Sequence, residues 1–342
     1  MTSRILCFGE LLLRLAAPGR ERLLQTPELR VHVGGAEANV AVSLARFGHR
    51  AELVGTVSDN ALGDAALGEL RRHGVDVDRV RRAPGRMGLY FLSTGAGLRP
   101  SEVLYDRADS AFAQAGADAY DWPALVRGAR LFHISGVTPA LGQASADAAI
   151  AATKAARAAG ATVSFDGNFR SKLWAAWDGD PAVILRALIA EADLAFADHR
   201  DIGVVLGDAP ANTESEEPGA RFAAAAARAF AAFPHLSRIA TTVRTQHSVD
   251  DHSMGALMAT RDGTLHAAPT LAIPGIVDRI GAGDAFAVGV LHGLLTGRGD
   301  ADSLRFGMAA ACLKHSVPGD FNLVDEADVL AVVRNERLDV RR

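Results

Sequence analysis

The chain has 342 residues, 49% of them hydrophobic and 22% charged, a composition that predicts a globular fold of one large or two modest domains. Its formal net charge is −4 and its basic residues form no cluster with interleaved aromatics, which excludes a nucleic-acid binder and places the substrate in a pocket. Cys7 and Cys312 are too far apart and too few for a disulfide framework or a cysteine metal site, no apolar run approaches the roughly 20 residues of a membrane span, and residues 3–10 lack signal-peptide grammar, so a reducing, cytoplasmic location away from membranes is expected.

Residues 3–10 read as a short buried strand. Residues 11–33 mix short apolar runs with Pro18, Gly19 and Pro27, and Gly34-Gly35-Ala36-Glu37-Ala38-Asn39 then opens an alanine-rich helix that stops near Gly48. A strand over 51–57 and a helix over 64–73 closed by Gly74 start a parallel α/β alternation. Between Gly88 and Asp106 the grammar changes. Apolar runs at 89–92 and 103–105, joined by the turn-rich 93–101, predict a hairpin inserted in the alternating chain, and such an insertion is a candidate lid over a pocket.

The alternation resumes after Trp122, with strands expected over 130–136, 161–166, 193–197 and 237–244 and helices over 144–160, 182–191 and 220–233. Asp166, Asn168 and Arg170 stand at period two where a strand ends, which would aim three polar groups to one side if the strand continued; a capping cluster for the next helix is the plainer alternative. An exposed loop is expected at 208–219, a polar loop at 245–252, and a hairpin from 254–260 and 264–268 around Asp262-Gly263. His247, His252, Asp250 and Asp251 lack a second ligand set, so no metal centre is assigned to them.

The most informative stretch is Asp278-Arg279-Ile280-Gly281-Ala282-Gly283-Asp284-Ala285-Phe286. An apolar segment at 271–277 runs into it, and Phe286, Val290, Leu291 and Leu294 leave it at helical spacing until Gly297, so it reads as strand, glycine turn, helix. Two glycines remove side chains where a ligand approaches the backbone, and the first N–H groups of the helix point into that space with the positive end of its dipole behind them. Asp284 falls in the first helical turn, where its ionised form is favoured. An anion hole beside a carboxylate suits phosphoryl transfer, in which the amides hold developing charge while the acid takes a hydroxyl proton. A dinucleotide fingerprint fails because Phe286 stands where a glycine is needed, and a Walker loop fails because none of Lys154, Lys172 and Lys314 follows the glycines. A plain glycine turn opening a core helix remains the bland reading.

This stretch resembles the Asp-Thr-x-Gly-Ala-Gly-Asp signature of the ribokinase-like (PfkB) carbohydrate kinases, with Arg279 in place of the threonine, a departure that bears on any nucleotide or cation contact the threonine hydroxyl would serve. The resemblance extends from Gly9 to Asn322. It implies a single ribokinase-like domain over 1–342, a three-layer αβα sandwich with a mostly parallel central sheet and a small β-sheet lid formed by 11–33 and 88–107. It also implies Asp284 as catalytic base and the Gly281, Ala282 and Gly283 turn as the anion hole. Gly34, Gly35 and Asn39 resemble the family's N-terminal sugar-binding signature. Tyr105-Asp106-Arg107 and Asn168-Phe169-Arg170 resemble segments of the 2-keto-3-deoxygluconate kinases, which implies that Tyr90, Tyr105, Arg107 and Arg170 meet an acid sugar whose carboxylate suits the planar guanidinium. Asn168, Thr242, Arg244, Gly281, Gly283 and Asp320 are expected on the nucleotide side.

The expected activity is phosphorylation of the terminal hydroxyl of 2-keto-3-deoxygluconate by ATP with Mg²⁺, with room for a monovalent cation. Phosphorylation of fructose or another hexose is the first alternative and a non-catalytic sugar-binding regulator the second. Exposed lid edges predict a homo-oligomer, dimeric through the lid.

Overall fold

Ile5 and Cys7 alternate with Leu6 and Phe8, and all four have 0% exposure, so the first strand must lie inside a sheet covered on both faces. In the computed structural model, which describes residues 4–208 and 217–335, it does. The strands in chain order are β1 (Arg4–Phe8), β2 (Leu12–Ala16), β3 (Arg30–Gly34), β4 (Arg50–Val54), β5 (Thr56–Ser58), β6 (Arg81–Ala83) and β7 (Gly88–Ser93). They continue with β8 (Glu102–Asp106), β9 (Ala129–Ser135), β10 (Thr162–Asp166), β11 (Leu194–Phe196), β12 (Arg238–Gln246), β13 (Asp251–Thr260) and β14 (Leu265–Pro274). Eight of them form one large sheet in the order β14-β13-β12-β11-β10-β9-β1-β4, parallel except for the antiparallel pairs at β13.

Helices cover both faces. On one side Ile5, Cys7 and Leu53 pack with residues of Ala36–Arg46, Ala282–Leu295 and Asp300–Lys314; on the other Leu6, Phe8 and Phe132 pack with Gln143–Ala158, Pro181–Ile189 and Pro218–Ala232. A second, separate sheet of four strands runs β3-β2-β7-β8, its two middle strands parallel. Its register aligns His32, Arg14, Tyr90 and Tyr105 in one row across all four strands, so these side chains share a face. Among the described residues no helix is long and apolar enough to cross a membrane.

Three expectations are corrected and two helices are added. The strand expected over 51–57 is interrupted at Gly55, where β4 leaves the large sheet and β5 pairs with β6 instead. The polar loop expected at 245–252 is mostly the end of a long hairpin, since β12 reaches Gln246 and β13 starts at Asp251; backbone pairing continues there although the side chains are polar. The strand expected over 271–277 ends at Pro274, leaving residues 275–281 as a loop before the helix. Asp300–Lys314 and Glu326–Val333 are helices that periodicity did not reveal; the first is buried nearly all round and carries no polar stripe to read. Of the loop expected at 208–219, residues 209–216 lie outside the described residues.

Candidate active site

Helix Ala282–Leu295 begins at Gly281, whose φ of 81° is left-handed and whose Cα faces the Asp320 carbonyl so closely that a Cβ would lie 2.1 Å from that oxygen. A Cβ on Gly283 would meet nothing within 4 Å, so the space before the first amides of the helix is open. Asp284 projects beside that opening. Asn39, on helix Ala36–Arg46, donates its Nδ2 to Asp284 Oδ2 at 2.7 Å, which ties the two glycine-opened helices together at this carboxylate.

The helix terminus favours an ionised Asp284; its surroundings oppose this. Burial pushes its pKa up to about 7, the Asn39 hydrogen bond opposes the shift, and Glu37 adds to it while Arg170 resists. Desolvation is the largest influence, and among the described residues no cation touches the carboxylate. A group poised near neutrality is a better proton acceptor than an ordinary aspartate.

The loop before the helix is held from both sides. Asp278 accepts from the backbone of Ile280 at 3.0 Å and of Gly319 at 3.0 Å, and its carboxylate pairs with the buried Arg14. Arg14 also reaches Asp320 at 3.1 Å, and Tyr90 donates its hydroxyl to the other oxygen of Asp320 at 2.6 Å. Burial raises the Asp320 pKa, with Arg14 as the chief opposing influence. Asp320 was expected on the nucleotide side. Its carbonyl lies against Gly281, also expected there, while its carboxylate lies against Gly34, where a Cβ would fall 2.4 Å from its Oδ2, so it stands between the two sets of expected residues. The closeness of Gly34 to a neighbour is therefore met by the chain's own carboxylate. Tyr90 is buried with its proton committed, so a ligand would find only its acceptor lone pair.

Arg107 follows β8 and pairs through Nε with Glu10 at 2.6 Å, both buried, while Ser110 donates to the other Glu10 oxygen. Tyr105 stands half-buried beside Tyr90 in the shared row. Arg170 is exposed, stands at the N-terminal boundary of the short helix Ser171–Trp174 without a side-chain capping bond, and acts at a distance on Asp284 and Asp166. The period-two projection expected of Asp166, Asn168 and Arg170 does not hold: β10 ends at Asp166 and Asn168 turns left-handed at φ 38°. Asp166 is pushed well up by burial, with Asp284, Asp201 and Glu37 adding to the shift. The buried Asn168 Oδ1 has no partner among the described residues. Thr242 and Arg244 share a face of β12, and the Arg244 pKa is lowered by desolvation and then by the neighbouring Arg279 and Arg200.

A cavity of about 280 Å³ separates the small sheet from the loop, lined by Leu92, Val103, Ile276, Asp278, Arg279 and Ile280. Arg20 and Asp250, 2.7 Å apart, bridge the two sides of it. A larger hollow of about 680 Å³ is walled by Arg79, Arg81, Tyr120 and Arg127 and shares no residue with this set. Sequence reasoning missed Glu10, Arg14 and Glu37. A charge inside the apolar run Leu11-Leu12-Leu13-Arg14-Leu15 was the available signal for one of them, and an acid inside a buried alanine helix for another. Glu37 accepts from the Ser135 amide and hydroxyl and from Thr138, each at 2.8 Å, while its other oxygen has no partner among the described residues.

Residues 2–326 match the family model described as pfkB family carbohydrate kinase. The chain is 33% identical over 339 residues to a 2-dehydro-3-deoxygalactonokinase of Haloferax volcanii, covering 98% of each chain. It is 30% identical over 326 residues to a 2-dehydro-3-deoxygluconokinase of Bacillus subtilis, covering 95% of this chain and 93% of the other. Among solved structures, a 2-dehydro-3-deoxygluconokinase of Thermotoga maritima superposes with a TM-score of 0.89 at 37% identity, over 97% of this chain and 99% of the other.

Proposed function

This chain belongs to the pfkB family of carbohydrate kinases and has the ribokinase-like fold, and on that premise we propose that it transfers the γ-phosphoryl group of ATP to the terminal hydroxyl of 2-keto-3-deoxygluconate, giving 2-keto-3-deoxy-6-phosphogluconate. The observation that carries the reading is Asp284: a buried carboxyl held by Asn39, raised to about 7, beside an open helix N-terminus. Asp284 takes the proton of the attacking hydroxyl, and the amides of Ala282, Gly283 and Asp284 face the oxygens of the group in transfer. The acid-sugar preference is supported by the names of the relatives and by two guanidinium groups. Arg107 is oriented by Glu10, which leaves its two terminal nitrogens for a carboxylate, and Arg170 has no acidic contact among the described residues. Tyr105 and the lone pair of Tyr90 border the sugar from the small sheet, which acts as a lid that excludes water.

On the nucleotide side Asn168, Thr242 and Arg244 border ATP. No group of three ligating side chains is gathered for a metal among the described residues, which fits an Mg²⁺ held mainly by phosphates and water with Asp166 as the facing carboxylate. Such an ion supplies charge neutralisation on the transferring phosphates. The outer face of the small sheet aligns Val31, Leu15, Phe91 and Leu104, with Val31 60% and Leu104 57% exposed; this apolar row supports a homodimer through the lid, which light scattering tests.

The deciding experiment measures ADP release with Mg-ATP against 2-keto-3-deoxygluconate, its galactonate epimer, fructose and ribose, with Asp284→Asn beside the wild type. Turnover is expected on the keto-deoxy acids, and kcat should fall by about 10²–10⁴ in the variant. Turnover on fructose or ribose alone would overturn the acid-sugar reading and keep the base. Binding of a sugar without ADP release would favour the regulator.

A further inference from the structure

Lysine is scarce in this chain: three residues against 36 basic ones in total. Lys154 and Lys172 are exposed, as lysines usually are, but Lys314 has 0% exposure. It closes helix Asp300–Lys314, where the negative end of the dipole favours a cation. Its ammonium donates to the carbonyl of Val317 at 2.8 Å and lies in the field of three carboxylates, Asp278, Asp320 and Asp284. The stem passes directly beneath the anion hole, since Cε lies 3.4 Å from where a Cβ of Gly281 would stand. The turn that follows holds the same loop through backbone bonds: the His315 carbonyl accepts from Val277 at 2.9 Å and Asp278 at 3.2 Å.

A buried charge persists only where something requires it. Asp278 and Asp320 bring two negative charges under the turn that must receive an anion, and Arg14 neutralises one of them. The second positive charge is Lys314. Its one oxygen contact among the described residues is the Val317 carbonyl, and Asp278, Asp320 and Asp284 act on it through their field from beyond ion-pair distance, so the ammonium supplies positive charge where a small cation from solution would otherwise be drawn. A guanidinium is a wide planar fork, whereas an ammonium on a four-carbon stem is a compact point charge, which accounts for a lysine in a chain that elsewhere prefers arginine. Desolvation draws its pKa down to about 8 while the three carboxylates oppose the fall, so it remains protonated at neutral pH.

We propose that Lys314 is a positioning residue that serves as a built-in monovalent cation: its ammonium neutralises Asp278 and Asp320 and fixes the anion-hole turn, so phosphoryl transfer needs no potassium or sodium ion from solution. The inference rests on the kinase reading, and it goes beyond it by assigning the cation requirement to a side chain.

The test compares wild type, Lys314→Met and Lys314→Ala in choline chloride, potassium chloride, sodium chloride and ammonium chloride at one ionic strength. Two readouts are taken: kcat with KM for Mg-ATP, and the thermal unfolding midpoint without substrates. Wild type should keep its kcat within about twofold in all four salts, with one unfolding midpoint. Lys314→Ala should lose on the order of 10²-fold in kcat in choline, as removal of an electrostatic partner beside developing charge does, and recover about tenfold or more in potassium or ammonium, with a midpoint that rises in the same salts. A wild type activated about tenfold by potassium would overturn the proposal. So would a folded variant that keeps wild-type kcat in choline, or one equally impaired in every salt. If neither variant folds, the wild-type salt series alone decides. Should no sugar be turned over, the kinase reading fails separately, and the salt dependence of the two proteins' unfolding midpoints still reads Lys314.

Discussion

The two sides of the cleft differ in how their charges are balanced. Toward the small sheet every buried charge has an internal partner: Arg107 with Glu10 at 2.6 Å, Arg14 with Asp320 at 3.1 Å and with Asp278. Toward the end of β12 the balance is left open. Arg244 and Arg279 repel each other with no acidic contact for either among the described residues. A site whose charges are already paired is rigid before its ligand arrives and selects by shape and hydrogen bonding. A site with unopposed cations is completed by a polyanion and gains affinity from it. The first suits a small sugar acid and the second a triphosphate, in line with the proposed function.

The sharpest way to break this contrast is to remove a charge from each side. Arg14→Leu leaves Asp278 and Asp320 with one fewer cation in a buried cluster, and should cost about 3–5 kcal/mol of stability, measured by urea unfolding. Arg107→Ala removes a partner from Glu10 and a guanidinium from the cleft; kcat/KM for the keto-deoxy acid should drop by about 10²-fold, and turnover of any neutral sugar by much less. Arg244→Ala and Arg279→Ala, by contrast, should leave the unfolding midpoint unchanged or slightly raised, because each relieves repulsion. Their effect is expected in KM for Mg-ATP, up by about tenfold, with KM for the sugar unaltered. If the nucleotide-side variants destabilise the fold as Arg14→Leu does, the two sides are not built differently.

How much of this was legible beforehand depends on the kind of signal. The alternating strands and helices were readable from Arg4–Phe8 onward because strands buried on both faces show as short apolar runs and most helices bury one face at a spacing of 3.6, and the glycine turn was readable because the left-handed backbone at Gly281 demands glycine. Helix Asp300–Lys314 was missed because a helix buried all round has no periodicity. Asp284 and Asn39 were found on either side of the same hydrogen bond although 245 positions separate them, since each lies next to its own glycine signature. Partnership was not legible: nothing in the sequence couples Tyr90 to Asp320, or Glu10 to Arg107, because those contacts are set by how the small sheet docks on the large one. The raised pKa of Asp284 was not legible for a related reason. The helix terminus is local and visible in sequence, while the burial that overrides it comes from the packed surroundings.

Asp284 stands where the two sides meet, and its titration gives the most direct of these effects. An unfolded chain releases its proton near the ordinary carboxylate value, while the folded chain keeps it until about 7. Between those values the folded state binds more protons than the unfolded state, so stability must fall as pH rises, by roughly 1 kcal/mol per unit, and level off above about 7. Activity runs the other way: a base must be ionised, so kcat/KM should climb with pH up to about 7 and then flatten. Asp284→Asn removes the acid whose burial causes both trends. Its contribution to the stability slope between pH 5 and 7 should disappear and the protein should be more stable than wild type at pH 7.5, while turnover is lost. Unfolding midpoints of the two proteins across that range, set beside the wild-type rate profile, would show whether one carboxyl governs both curves. Parallel midpoint curves for the two proteins would mean that the pKa of Asp284 is ordinary and that the acid limb of the rate belongs to another group.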